Sequence, residues 1–337
     1  MKGDIMIREV EHPNFFKDLP FMFRKEVTCK DEYFNWNNLR LTGSGKAALS
    51  VILSYLKQNG VFENKMCELV VPGWLGYWVY NQVQAHVFPT RKLSPQSRAV
   101  LVYHQYGFPQ DMDRILEITK EKRLIVIEDC AHTLTGFYKG KQLGTIGDYS
   151  IYSFSKFFFC YALGALRTKN EEFFKYFNEQ LRQTPAGLCG IVNAAKLTSE
   201  YSIKYPNKVF KKYSNLFLSA SYAIYGQSFH YGKISKKLMN AKLNNEILTR
   251  KQYYDYFRLC TDKLGICDHL ENDGVYPYVI PIKVKDNVIS KVVTALKRIK
   301  IETGIYNFDT NRFLFEPNFE SCVWIPCHSG ISKNMFD

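Results

Sequence analysis

The chain has 337 residues, 46% of them hydrophobic and 15% aromatic, and a formal net charge of +13. This is more length than one small core uses, so a large domain with a smaller second one is expected and a disordered or low-complexity chain is excluded. The basic residues fall in short dispersed groups, such as Lys208, Lys211 and Lys212 or Lys236 and Lys237, with no helix-turn-helix, zinc-finger or RRM signature beside them, so no nucleic-acid partner is expected.

Nine cysteines (Cys29, Cys67, Cys130, Cys160, Cys189, Cys260, Cys267, Cys322 and Cys327) show neither CxxC spacing nor the density of a disulfide scaffold. They read as reduced thiols of a cytoplasmic protein. Cys327-His328 lacks a second ligand pair, and no metal is assigned. The first residues have no apolar leader-like run, and no stretch offers the roughly eighteen apolar residues of a membrane span, so no membrane partner is expected.

From about residue 40 strand, turn and helix alternate, the pattern of a mostly parallel α/β sheet with helices on both faces. Thr42 to Gly60 opens on the turn residues Gly43-Ser44-Gly45-Lys46, continues as an apolar helix and stops at Asn59-Gly60. Cys67–Trp74 reads as a short strand ended by Pro72-Gly73, and Ser97–Gly107 as another. Asp111–Lys122 is an amphipathic helix with acidic residues in its first turn, where they suit the helix dipole. Arg123–His132 is an apolar strand running into Glu128-Asp129, and Asp148–Phe154 is the strand that delivers Lys156. Residues 170–245 are polar, basic, Tyr-rich and helical. A strand in Val275–Val284, a helix at Asn287–Arg298 and Gly304–Phe308 then suggest a small α+β unit. The division expected is 1–245, a large domain with an N-terminal arm and a helical connector, and 246–337, a small C-terminal domain.

Open α/β sheets bind ligands beyond the carboxyl ends of their strands, and three chemistry-bearing places fall there. Gly43-Ser44-Gly45-Lys46 sits at a helix start, where free amides and the dipole favour a phosphate; the plainer alternative is a turn with an N-cap, and the GxxxxGK[ST] spacing is missing. Asp129 at a strand end can pair with a cationic ring nitrogen, or merely cap or meet solvent. Lys156 lies in the run YSFSKFFFCYALG. Among aromatics its ammonium is disfavoured and the neutral, nucleophilic amine gains, unless its head snorkels into water. In chain order these three supply a phosphate anchor, a ring-nitrogen partner and an aldehyde-capturing amine, the set that pyridoxal phosphate (PLP) requires.

The segments Tyr103–Ile115 (YHQYGFPQDMDRI) and Ile127–Lys156 (IEDCAHTLTGFYKGKQLGTIGDYSIYSFSK) resemble the DegT/StrS-type sugar aminotransferases, PLP enzymes of fold type I. The resemblance implies that Asp129 partners the pyridine nitrogen and that His132 lies against the ring or on its O3′ side. It also implies that Ser153 and the backbone of Ser44-Gly45-Lys46 hold the phosphate, and that Lys156 bonds the cofactor. The activity implied is ping-pong transamination onto a nucleotide-linked keto-sugar, with glutamate as donor, in polysaccharide or glycoconjugate synthesis by a homodimer. Lys156, once released, would carry the proton between cofactor and substrate carbon. Related dehydratases have His at that lysine, so Lys156 argues for amino transfer; a catalytically idle scaffold of the same fold is the other alternative.

The chain departs from the family at two places. The Gly-Glu-Gly-Gly turn that follows the lysine in many members is replaced by Tyr161-Ala-Leu-Gly164-Ala165. In Pro72–Trp78, Gly76 occupies the usual position of the ring-stacking residue, which leaves Trp74 and Tyr77 as alternatives. Arg250 falls in register with the family's arginine-rich helix.

Overall fold

The computed structural model of the chain describes residues 6–23, 33–204, 207–264 and 274–331, with side chains described up to residue 260 of the third stretch. Cys29 and Cys267 lie outside the described residues.

Helix α1 (Phe15–Phe23) precedes strand β1 (Leu39–Thr42), helix α2 (Gly45–Gln58) and strand β2 (Glu68–Val70). Helix α3 (Tyr77–Gln84), β3 (Phe88–Thr90), β4 (Ser97–Tyr103), α4 (Met112–Glu121) and β5 (Ile125–Cys130) follow. A hairpin of β6 (Phe137–Tyr138) and β7 (Lys141–Gln142) leads into β8 (Tyr149–Ser153) and β9 (Gly164–Thr168). The seven-stranded sheet has the order β1-β9-β8-β5-β4-β2-β3. Strands β3, β2, β4, β5 and β8 are mutually parallel, and β9 runs antiparallel to its neighbours β8 and β1. The mostly parallel sheet expected from the alternation is therefore present. Strand β9 is not anticipated from the sequence, because Gly164–Thr168 is too short for a period to show.

Because successive side chains of a strand point to opposite faces, each central strand feeds two cores. Ala99, Leu101 and Ile127 enter the core beneath α2, α3 and the helix α5 (Glu171–Gln183). Val100, Val102 and Val126 meet Met112 and Ile115 of α4 on the other face. Helix α2 starts where Ser44, extended at φ −166° and ψ 161°, accepts a hydrogen bond from the Ala47 amide. It ends before Gly60, whose φ of +77° is left-handed backbone that glycine adopts freely. Asp111 caps α4 in the same way, through the Arg114 amide.

The connector is helical as expected: α5, α6 (Leu188–Lys204), α7 (Lys208–Ala220), α8 (Tyr222–Tyr225) and the 32-residue α9 (Lys233–Leu264). Residue 245, where a boundary is expected, falls in the middle of α9. The C-terminal part is a three-stranded antiparallel sheet, β10 (Val279–Lys283), β12 (Phe319–Pro326) and β11 (Ile305–Asp309) in spatial order, with α10 (Asp286–Arg298). Its middle strand, β12, has no clean alternation and escapes the sequence reading.

The aromatic run after Lys156 is structural. Phe157, Phe158, Cys160 and Leu163 are buried in a core shared with Leu243, Ile247 and Tyr254 of α9 and with Val279, Ile280 and Trp324 of the small sheet. Arg250 of α9, fully buried, pairs with Glu246 at 2.7 Å and donates to the Phe157 carbonyl at 3.1 Å and to the Tyr278 carbonyl. The residue next to Lys156 is thus tied to both the long helix and the small sheet.

Candidate active site

Two neighbouring carboxylates on β5 take opposite fates. Glu128 accepts hydrogen bonds from the amides of Gly144 (2.7 Å), Ile146 (2.8 Å) and Gly147 (2.7 Å), and from His104 at 3.1 Å. Burial pushes its pKa up, but His104 and these amides outweigh burial and hold it below the usual range. Glu128 therefore ties down the Gly144–Asp148 loop. His104 and Glu128 lie near Cys130, close enough for a metal cluster, yet both are committed to these hydrogen bonds. Asp129, one residue on, points the other way, into a cavity of about 270 Å³.

That cavity is where the sequence-predicted residues meet. Ser44, Gly45, Lys46, Asp129, Ser153 and Lys156 all line it. Burial raises the Asp129 carboxyl, while Lys156 and the Ala131 amide, 2.9 Å from the carboxylate, pull it back. Burial likewise lowers the Lys156 amine, with Asp129 opposing and Lys196 adding to the shift. The two groups thus moderate each other across the cavity, and the amine is brought toward the neutral form that a nucleophile needs.

Backbone contact builds the anion end. A Cβ on Gly45 would sit 3.1 Å from the Ser153 Cβ, so the first turn of α2 lies directly against Ser153. The amides of Gly45 and Lys46 in that turn have no partner within the helix. A Cβ on Gly164 would come within 2.3 Å of the Gly45 nitrogen and the Ser44 carbonyl carbon. Gly164 is thus the glycine that lets β9 pack against the helix start. Tyr161, three residues earlier, has a left-handed φ of 59°, a conformation in which glycine would be unstrained.

Two expected cofactor ligands stand elsewhere. Gly43 does not line the cavity: its amide donates to the Ser228 carbonyl at 2.9 Å, and a Cβ there would strike the Ser228 Oγ at 2.2 Å. His132 is outside it as well, with its ring stacked on Tyr278 (centroids 4.2 Å apart) and its Nδ1 hydrogen-bonded to the Tyr103 hydroxyl. Burial first, then the charges of Lys156 and Arg250, keep this imidazole neutral.

Sequence reasoning missed Trp78, Lys196, Ser199, Tyr222 and Tyr225, which also line the cavity. Neither Trp74 nor Tyr77 reaches the cavity. Trp78, the next residue along, does, and it stacks on Tyr222 with centroids 3.6 Å apart. The Lys46 Nζ lies 3.2 Å from the centre of the Tyr222 ring. Burial, Lys156 and Lys196 lower the Lys46 amine to about 7. Lys196 of α6 pairs with Glu200 at 2.7 Å, and burial is outweighed there by Lys196 and Arg8, which hold the Glu200 carboxyl at about 2. Three lysines against one lining carboxylate, Asp129, make this a cavity for an anion. A first-turn amide pair, a serine hydroxyl, a buried carboxylate and a desolvated lysine fit PLP, whose phosphate, ring nitrogen and aldehyde need those partners.

Residues 85–195 match the DegT/DnrJ/EryC1/StrS aminotransferase family. GDP-perosamine synthase of Escherichia coli O157:H7 is 45% identical over 64 residues, 19% of this chain and 18% of that protein. The chain thus matches under a fifth of the length of the first curated relatives. The structure of AtS13 from Actinomadura melliaura superposes with a TM-score of 0.63 at 16% identity, covering 98% of this chain and 96% of the other. The PLP form of Spr1654 from Streptococcus pneumoniae gives 0.63 at 13% identity, covering 96% and 94%. At such identities the two structures establish the fold. The chain has the fold type I architecture of these structures, and over residues 85–195, about a third of its length, it matches the DegT/DnrJ/EryC1/StrS aminotransferase family.

Proposed function

We propose that this protein is a PLP-dependent aminotransferase that moves the amino group of glutamate to the ketone of a nucleotide-linked sugar, for polysaccharide or glycoconjugate synthesis, as a cytoplasmic homodimer. The observation that carries the reading is the convergence of Lys156, Asp129, Ser153 and the start of α2 on one cavity. The bound cofactor would supply an aldehyde to take up the amino group and a ring that withdraws electrons from the reacting carbon. Asp129 would face the ring nitrogen and favour its protonated form. Ser153 and the Gly45 and Lys46 amides would hold the phosphate. Lys156 would be the amine that holds the cofactor and, when free, the base that carries a proton at the substrate carbon. Lys46 and Lys196 leave the cavity positive, which suits a substrate carrying a diphosphate. The similarity to a GDP-perosamine synthase supports the same substrate class.

The test is a panel of nucleotide keto-sugars offered with glutamate and PLP. The reading expects yellow protein that bleaches with glutamate and forms an amino-sugar with one member of the panel. Protein that stays colourless with excess PLP would reduce the chain to an idle scaffold.

A further inference from the structure

The helical connector carries a surface that the cavity does not use. Between Glu200 and Glu246 the sequence has no Asp or Glu and eight lysines. Helix α7 lies within this acid-free stretch. At 3.6 residues per turn, Ser214, which is buried, and Leu218, which is half-buried, occupy one side of it. A second side, an arc of about 120°, is apolar and open to solvent: Val209 is 65% exposed, Tyr213 60% and Leu216 64%, with Phe210 and Phe217 beside them. Lys208, Lys211 and Lys212, all exposed, fill the third side.

We propose that α7 docks on an anionic lipid bilayer, with the Val209, Phe210, Tyr213, Leu216 and Phe217 face entering the headgroup region and the three lysines meeting lipid phosphates. An amphipathic helix with a basic polar face and exposed aromatic and aliphatic side chains binds in this way, through buried apolar area together with attraction to negative lipid. Charge complementarity selects the occupant. A symmetric contact with α7 of a second copy would bring two lysine-rich, acid-free surfaces together without an acidic partner in the stretch. A nucleic acid has no use for the aliphatic Val209 and Leu216 on the exposed face. The attachment is peripheral: no helix among the described residues is long and apolar enough to cross a membrane.

Co-sedimentation of the whole protein with phosphatidylcholine vesicles, with and without phosphatidylglycerol, tests the proposal. Binding is expected to the anionic vesicles alone and to weaken as salt is raised, because the surface potential decays within about 10 Å at 0.1 M salt. Replacing the three lysines together (K208Q, K211Q and K212Q) should weaken binding about a hundredfold, at roughly fivefold per charge. Leu216→Ser with Phe217→Ser should abolish binding at low salt, whereas Lys285→Gln, Lys291→Gln and Lys297→Gln around α10 remove as many charges and should leave most of it. Unchanged melting temperature and far-UV circular dichroism show that each variant is folded, independently of the aminotransferase reading. The proposal is overturned by absence of binding to anionic vesicles, by equal binding to neutral ones, or by α7 variants that bind like wild type. It is also overturned by a concentration-dependent dimer that these α7 substitutions dissolve, which would make the face a self-interface.

Discussion

Gly164→Ala puts one methyl group where the fold has none to spare. Its Cβ would lie 2.3 Å from the Gly45 nitrogen and the Ser44 carbonyl carbon, and 2.6 Å from the Ser44 oxygen, against ordinary contact at 3.4 Å or more. All three obstacles are backbone, so relief requires β9 and the start of α2 to separate by about 1 Å, and Gly164 is paired with both Thr42 and Ser153 in the sheet. Overpacking of this kind costs about 1–3 kcal/mol, a fall in Tm of several degrees at ~2–4 °C per kcal/mol for larger domains. The sharper effect falls on the anion site. Moving the Gly45 and Lys46 amides by about 1 Å removes at least one charge-assisted hydrogen bond of ~1.5–3 kcal/mol, or about 10- to 100-fold in affinity for PLP. Fluorescence titration of cofactor-free protein with PLP, beside a thermal melt, measures both. A folded variant that binds PLP as tightly as wild type would refute the assignment of the α2 start as the phosphate end.

Lys46 gives a pH signature. Its amine is near 7 in the fold and near 10.4 when unfolded, so the unfolded chain binds more protons across that interval and stability rises with pH through it. Lys46→Met removes this cost: the cofactor-free variant should melt above wild type at pH 7, and the gain should fade toward pH 10.5. The same difference in melting temperature at both pH values would show that burial of the ammonium is not what the fold opposes. Arg250→Ala leaves Glu246 with a charge and no guanidinium in a buried site and releases the Phe157 carbonyl. About 3–5 kcal/mol of stability should be lost, read as a shift in the denaturant midpoint, and an unshifted midpoint would contradict its role as a tie between α9 and the Lys156 turn.

Much of this site was legible because its residues announce themselves locally. Gly45 and Ser153 stand at the ends of recognisable elements, and Asp129 closes an apolar strand. Glu128 and Asp129 could not be told apart in sequence, since the two faces of β5 become different only when Gly144–Asp148 wraps one of them. Lys196 and Tyr222 were invisible for another reason. They sit on connector helices with no strand-end context, and only tertiary packing brings them opposite Lys156. Gly43 misled because a glycine beside a helix start looks the same whether its bare backbone faces a ligand or, as here, the Ser228 chain segment. The strands β9 and β12 went unread because they are held by neighbours more than by their own pattern, a common limit of strand propensity.

The central claim is that Lys156, and not another amine of the cavity, holds the cofactor. Three lysines line that space, and Lys46, lowered to about 7, would be the easiest to mistake for it. Borohydride reduction of the PLP-loaded protein followed by peptide mass mapping decides the matter. The account predicts one phosphopyridoxyl group per chain on the peptide containing Lys156, and none on Lys156→Ala, whose amino transfer should fall at least ~10²–10⁴-fold. The group found on Lys46 or Lys196, or on no lysine at all, would contradict it.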